Sequence, residues 1–190
     1  MSTTGKEATE KRAKGFRLPL LFASPAERCL AVLDFHRCDP EYNGFDTAPL
    51  RQVSLISASA KTRSTMWSLT VVPSLCNSVG NLHGGAAATL LDMLTTLTLS
   101  AITEKGFLDG GHLSRSLGCT FLRPVPVGEY IVESRVIGVG KSMACVRAEI
   151  RTLDRPGGEK GKVCVECLHD KAVIYGDGRG HQSELSKASL

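Results

Sequence analysis

The sequence predicts an α+β fold in which an antiparallel six-stranded sheet curls around one long helix. Two strand-like segments precede a long apolar helical run and four follow it. The breaks between strands are short, which favours antiparallel neighbours. The helical run is apolar on nearly all sides, and such a helix is stable only when enclosed. At 190 residues the chain is long enough for one domain with some length to spare. Its 42% hydrophobic and 22% charged residues match an ordinary globular protein and argue against wholesale disorder.

Each element has a local reason. Pro25–Cys38 reads as a helix: Ala26, Cys29, Leu30 and Leu33 recur at three-to-four spacing, and Ser24-Pro25 is a favourable start. Cys38–Pro49 has the composition of a loop. Leu50–Ser59 and Thr65–Val72 alternate in part and flank a polar turn, as a hairpin does, and Pro73 ends the second strand. Ser74–Leu82 reads as a loop leading to Gly84-Gly85. Ala86–Glu104, rich in Ala, Leu and Met, is the long helix, closed off by Gly106 and Gly110-Gly111. Leu113–Arg123, Glu129–Gly138, Ser142–Leu153 and Lys162–Tyr175 are the remaining strands, and a small N-terminal helix completes the set. The expected domain spans residues 21–175, between flexible tails at 1–20 and 176–190.

Composition also excludes several classes. A net charge of +4 is too mild to imply nucleic acid, though it would help attract an anionic substrate. No apolar run reaches a membrane span without polar interruption. The seven cysteines are odd in number and mostly have apolar neighbours, which points to reduced thiols inside a cell. Cys164 and Cys167 form a CxxC on a strand, where residues three apart face opposite sides, so no metal site is expected there. An intracellular location follows. Glu7 and Glu10 weigh against a mitochondrial presequence without removing it, and the terminal Lys-Ala-Ser-Leu leaves a peroxisomal address open.

The chemistry concentrates in Asn77–Asp92. Gly84 and Gly85 at a helix start leave backbone N–H groups bare, and these can polarise a carbonyl or hold an oxyanion. By itself such a pair equally permits only a tight turn. Asp92 is the sole acid between Asp46 and Glu104 and sits in the most apolar helix, with no Lys or Arg within one turn. A buried carboxylate is costly, so it is either paired structurally or acts as a general base or nucleophile. Gly84 and Asp92 are eight residues apart, about 12 Å along one helix. They cannot both reach one carbonyl from the same chain. A homodimer is expected, each helix giving Gly84 to one site and Asp92 to the other.

Asn77, Gly80, Leu82, His83, Gly84, Gly85 and Asp92 together resemble the motif of the phenylacetyl-CoA-thioesterase-like branch of the hotdog superfamily, the 4-hydroxybenzoyl-CoA thioesterase superfamily. The resemblance runs over Thr65–Ile174 and includes Cys119-Thr120-Phe121-Leu122-Arg123-Pro124, Gly128-Glu129 and Gly140-Lys141-Ser142. It implies a hotdog fold, a homodimer paired into a dimer of dimers, and hydrolysis of an acyl-CoA without cofactor or metal. By position it implies that Gly84 N–H polarises the thioester carbonyl and that Asn77 holds the carbonyl or the water. Asp92 of the opposite subunit would be base or nucleophile, and Ser114 would assist. His83 would orient the loop, while Gly85 and His169 would contact substrate. Arg123, Lys141 and Arg147 read as solvated strand ends. Two other classes compete. A hotdog enoyl-CoA hydratase would carry a D-x-N-P-x-H segment, which is absent. A non-catalytic acyl-CoA-binding module would lack the helix acid, which is present.

Overall fold

The computed structural model describes residues 23–104, 107–108, 111–154 and 160–174. The tails expected at 1–20 and 176–190, and the targeting signals considered there, lie outside the described residues. In chain order the elements are α1 (Pro25–Cys38), α2 (Thr47–Leu50), β1 (Val53–Ser59), β2 (Ser64–Val71), a 3-10 turn (Pro73–Leu75), α3 (Gly84–Ser100), β3 (Gly111–Phe121), β4 (Gly128–Val139), β5 (Met143–Thr152) and β6 (Val163–Ile174). The strands form one six-stranded antiparallel sheet in the order β1-β2-β4-β5-β6-β3. The expected α+β architecture, a sheet around one long helix, is the one observed. Two boundaries differ. α3 starts at Gly84 and stops at Ser100 rather than spanning Ala86–Glu104, and the expected loop before β1 contains the short α2.

The sheet closes on α3 because the strands alternate. Thr65, Trp67, Leu69 and Val71 of β2 are buried, as are Tyr130, Val132, Ser134 and Val136 of β4. Ala144, Val146, Ala148 and Ile150 of β5 continue the inner face, and Val165, Cys167, His169, Lys171 and Val173 of β6 complete it. Register aligns these into rows, such as Trp67 opposite Val132, Val132 opposite Ile150 and Ile150 opposite Val165. α3 meets them with Ala87, Leu90, Leu91, Leu94, Leu97 and Leu99, all essentially without exposure. Burying one such leucine is worth about 2 kcal/mol. The enclosure is incomplete, however. Ala88, Thr89, Asp92, Met93 and Thr96 are only half-buried and form a stripe along the side of α3 away from those leucines.

Polar groups on the inner face are satisfied in pairs. Trp67 Nε1 donates to Thr65 Oγ1 at 2.8 Å, Thr65 Oγ1 meets Thr98 Oγ1 at 2.7 Å, and Thr98 Oγ1 lies 2.7 Å from Ser134 Oγ. These bonds tie β2 and β4 to the middle of α3.

Both ends of α3 are also held. At the N-terminus His83 Nδ1 accepts from Gly85 N–H at 3.0 Å. At the C-terminus the buried Arg28 of α1 donates from Nε to Ser100 O at 2.9 Å and from Nη2 to Ala101 O at 2.7 Å. A cation there satisfies orphan carbonyls and complements the negative end of the helix dipole. α1 is itself fixed by a capping box, with Ser24 Oγ accepting from Glu27 N–H and Glu27 accepting from Ser24 N–H. Arg28→Met keeps the stem and removes the donors. It is expected to lower the unfolding free energy by about 2 to 3 kcal/mol, read from the urea midpoint.

Candidate active site

The loop into α3 is built on Asn77. Its Oδ1 accepts from Val79 N–H and Asn81 N–H, each at 3.1 Å, while its backbone bonds Asn81 O at 2.7 Å and accepts from Gly80 N–H at 3.0 Å. Gly80 has φ 77°, a left-handed conformation that glycine adopts without strain. Leu82 N–H to Val125 O at 2.7 Å and His83 N–H to Leu75 O at 2.8 Å clamp the loop on both sides. With both acceptor contacts assigned to Oδ1, the NH2 end of Asn77 is left over for another partner.

This loop delivers Gly84 to a cleft of about 410 Å³ lined by Asn77, Asn81, Gly84, Phe121 and Arg123 among others. Phe121 packs so closely over Gly84 that a Cβ there would sit 3.4 Å from its ring. The Gly85 N–H is taken by His83, and a Cβ on Gly85 would meet His83 Nδ1 at 3.1 Å. The Gly85 N–H thus serves the cap of α3, and among the described residues the Gly84 N–H is the bare donor of the pair. His83 acts as the cap of α3 from an exposed position.

Asp92 faces a different cleft, about 480 Å³, lined by Tyr42, Phe45, Thr89, Met93, Ser114 and Leu117. Its side chain is 33% exposed, which corrects the expectation of a buried acid. One carboxylate oxygen is anchored and the other is not. Ser114 Oγ donates to Oδ1 at 2.7 Å, His169 Nε2 lies 3.2 Å from Oδ1 but is not aligned for a hydrogen bond, and Lys171 Nζ lies 3.7 Å away. Oδ2 has no partner among the described residues. Lys171, 2% exposed, further donates to Thr96 Oγ1 at 2.8 Å and Ser114 Oγ at 3.2 Å. No Lys or Arg stands within one turn of Asp92 along the chain, and the cation beside it arrives by tertiary packing, from β6. Its signal was present in the alternation Val165, Cys167, His169, Lys171, Val173, which places Lys171 on the inner face.

His169 is fully buried behind Asp92, with Nδ1 2.6 Å from Thr95 Oγ1. Burial, and then the nearby Lys171 charge, push its pKa down to about 4 from 6.5. His112, near the same lysine, is likewise pushed down to about 4, chiefly by burial. Lys171 is pushed down by burial, with Asp92 opposing the shift.

Ser114 reaches Asp92 through a β-bulge. Ser114 pairs with Lys171 and Leu117 with His169, so Arg115 and Ser116 together oppose the single Asp170. The extra residue shifts the side-chain phase, turning Ser114 inward and leaving Leu113 57% exposed. Arg123 lies at the rim of the Gly84 cleft, while Arg147 pairs with Glu166 at 3.4 Å. Among the described residues no group of His, Cys, Asp and Glu could hold a metal ion, and no helix is long and apolar enough to cross a membrane. Cys167 pairs in register with Cys119 of β3, and Cys164 and Cys167 are both buried.

The family model described as Thioesterase superfamily matches residues 79–158. Acyl-coenzyme A thioesterase 13 of Mus musculus is 30% identical over 129 residues, covering 67% of this chain and 84% of the relative. The chain belongs to the thioesterase superfamily, a class of thioester hydrolases. Among solved structures, thioesterase superfamily member 2 from Mus musculus superimposes with a TM-score of 0.65 at 23% identity, over 80% of this chain and 100% of that one. The zebrafish thioesterase superfamily member 2 gives 0.63 at 23% identity, over 77% and 98%. At that identity the match establishes the hotdog fold.

Neutral, buried histidines tie stability to pH. A folded-state pKa below the unfolded value means that the native state binds fewer protons, so stability is full above about pH 6.5 and is lost as pH falls toward about 4. Urea midpoints are expected to drop between about pH 6.5 and about pH 5, before most carboxylates titrate, and to drop less in His169→Gln and His112→Gln.

Proposed function

We propose that the chain hydrolyses acyl-CoA thioesters to free acid and CoA, with each active site shared between two subunits. The observation that carries this reading is the division on α3. The bare Gly84 N–H opens into one cleft and the free Oδ2 of Asp92 into another, and the two clefts share no lining residue. Eight residues of helix hold them about 12 Å apart, too far to act on one carbonyl within a chain. Membership of the thioesterase superfamily and the acyl-coenzyme A name of the mouse relative support the substrate class.

The edge strand β3 supports the dimer. It is 11 residues long and unpaired on its outer side among the described residues. Such an edge is a template for another strand. Phe121 at one end touches the Gly84 side and Ser114 near the other holds Asp92. An antiparallel pairing of two β3 strands centred on Gly118, with the bulge at Arg115 and Ser116 absorbing one position, would set Ser114 of one protomer opposite Phe121 of its partner. Each Gly84 cleft would then meet the other subunit's Asp92. Two such dimers pairing as a tetramer extends the same proposal.

In that site Gly84 N–H polarises the thioester carbonyl, aided by the α3 dipole and by the NH2 of Asn77. Asp92 Oδ2 takes a proton from water as the water oxygen adds to the carbonyl carbon. The tetrahedral intermediate then expels CoA thiolate. The same free oxygen can attack directly, giving an anhydride that water opens. Single turnover in 18O-water separates the routes: water attack puts the label in the product acid, and the anhydride route puts it in Asp92 when water opens the anhydride at the aspartyl carbon.

Asp92→Asn is expected to lower kcat by about 100-fold or more with the fold intact, measured by release of free thiol from acyl-CoA. Asn77→Asp keeps both loop-forming acceptors but removes the NH2, so activity should fall while stability holds. Mixing the two inactive variants under subunit exchange should restore activity, because each heterodimer carries one site with Asn77 and Asp92 both native. No recovery in verified heterodimers would mean that the two residues do not meet across subunits.

A further inference from the structure

We infer that Lys171 is a positioning residue for this site. Together with Thr96, it turns the Ser114 hydroxyl onto Asp92 and pins Oδ1, so that Oδ2 alone remains to meet water or substrate. The inference rests on the reading that Asp92 acts on the thioester.

Proton counting at three oxygens carries it. Thr96 Oγ1 donates its one proton to the backbone carbonyl of Asp92 at 2.7 Å, so its lone pairs face Lys171 Nζ at 2.8 Å and can only accept. Ser114 Oγ accepts from Nζ at 3.2 Å, which leaves its own proton for Asp92 Oδ1 at 2.7 Å. The third N–H of the ammonium has Oδ1 itself, 3.7 Å away, as a charge partner. A hydroxyl free to rotate could point its proton at water instead. With Lys171 in place the serine is a fixed donor to one named oxygen. His169 cannot substitute for that cation, because its ring is fully buried and misaligned on Oδ1.

The surroundings show that the lysine is placed for this. Across the sheet it pairs with Ala144 of β5, a side chain too small to fill the space its stem needs, and with Ser114 of β3. Leaving an ammonium 2% exposed is costly unless its donors are used, and all three point into the Asp92 cluster. A lysine that merely neutralised charge would serve equally well beside either oxygen. This one hydrogen-bonds the serine that donates to Oδ1.

The test compares full-length Lys171→Met, Thr96→Val, Ser114→Ala and the double variant Lys171→Met with Ser114→Ala. Steady-state hydrolysis is measured with the acyl-CoA that the native chain turns over best, and urea unfolding is followed in parallel. Lys171→Met should lower kcat about 10- to 100-fold, the scale of a misplaced reacting group, with KM within about threefold. Thr96→Val should lower kcat in the same direction. The double variant should fall no further than Ser114→Ala, because the lysine acts through the serine. Unchanged kcat in folded Lys171→Met, or full additivity in the double variant, overturns the inference. If Lys171→Met does not fold, Thr96→Val decides: it removes the shortest acceptor of Nζ at near-constant volume, and an unchanged kcat there overturns the inference equally. Loss of activity in Asp92→Asn alongside native kcat in Lys171→Met would remove only the role of Lys171. Full activity in Asp92→Asn would remove the hydrolytic reading itself.

Discussion

The phase of β3 is the constraint on which the polar cluster depends. A regular antiparallel pairing with β6 would keep one parity inward along the whole strand. Cys119 and Leu117 face α3, so Arg115 and Leu113 would follow them inward. The bulge at Arg115 and Ser116 changes parity, so Ser114 and not Leu113 stands over Lys171. An arginine and a leucine beside Asp92 would supply a charge and an apolar wall but no hydroxyl. The cost is paid outside, where Leu113 becomes an exposed apolar side chain. That exposure falls on the edge strand proposed to pair with a second subunit, where it would be covered.

A site split along a helix needs that helix to be immobile. α3 is fixed by three kinds of contact at three levels. His83 caps its first turn, the Thr65–Thr98–Ser134 hydroxyls hold its middle, and Arg28 closes its last turn. The leucine faces between them fill the concave side of the sheet. The N-terminal cap also selects which donor is offered. By taking the Gly85 N–H, His83 leaves the Gly84 N–H, one residue earlier, as the unpaired donor among the described residues. The proposed oxyanion role of Gly84 would need a donor aimed before the charge develops, and a clamped loop with a capped helix is suited to hold one without reorganisation.

The sequence made legible what depends on period and on local chemistry. The helix over Pro25–Cys38 coincides with α1 because Ser24, Pro25 and Glu27 form a complete start signal. Strand ends fall within about three residues of expectation because Pro and Gly punctuate them. Gly84 and Asp92 stand out because a glycine pair and a lone acid are conspicuous against an apolar run, whereas Asn77 is singled out only by the resemblance of its motif to the family. What could not be read was long-range pairing. Asp92 and Lys171 are 79 positions apart and meet through the packing of α3 on β6, while the β3–β6 register brings Ser114 to the same lysine. The bulge that delivers Ser114 leaves no mark in composition. Asp92 was taken as buried because helix apolarity was averaged around the axis, whereas the stripe Thr89, Asp92, Met93 and Thr96 is more polar than the leucine face opposite.

The electrostatics of the cluster follow from which group carries charge. Burial keeps His169 neutral near pH 7, so the positive charge beside Asp92 belongs to Lys171. Had the histidine carried it, a fall of one pH unit near neutrality would change the charge next to the carboxylate, since an unperturbed histidine titrates near 6.5. An ordinary lysine titrates far above that range; burial lowers the proton affinity of Lys171, and the Asp92 carboxylate opposes the shift. The histidine instead contributes shape: Thr95 fixes Nδ1 and the ring backs Oδ1 from the core. Charge is thus assigned to the long flexible side chain whose three donors can be shared between Thr96, Ser114 and Asp92, and rigidity to the planar one. That division keeps one carboxylate oxygen anchored while the other stays open to the cleft.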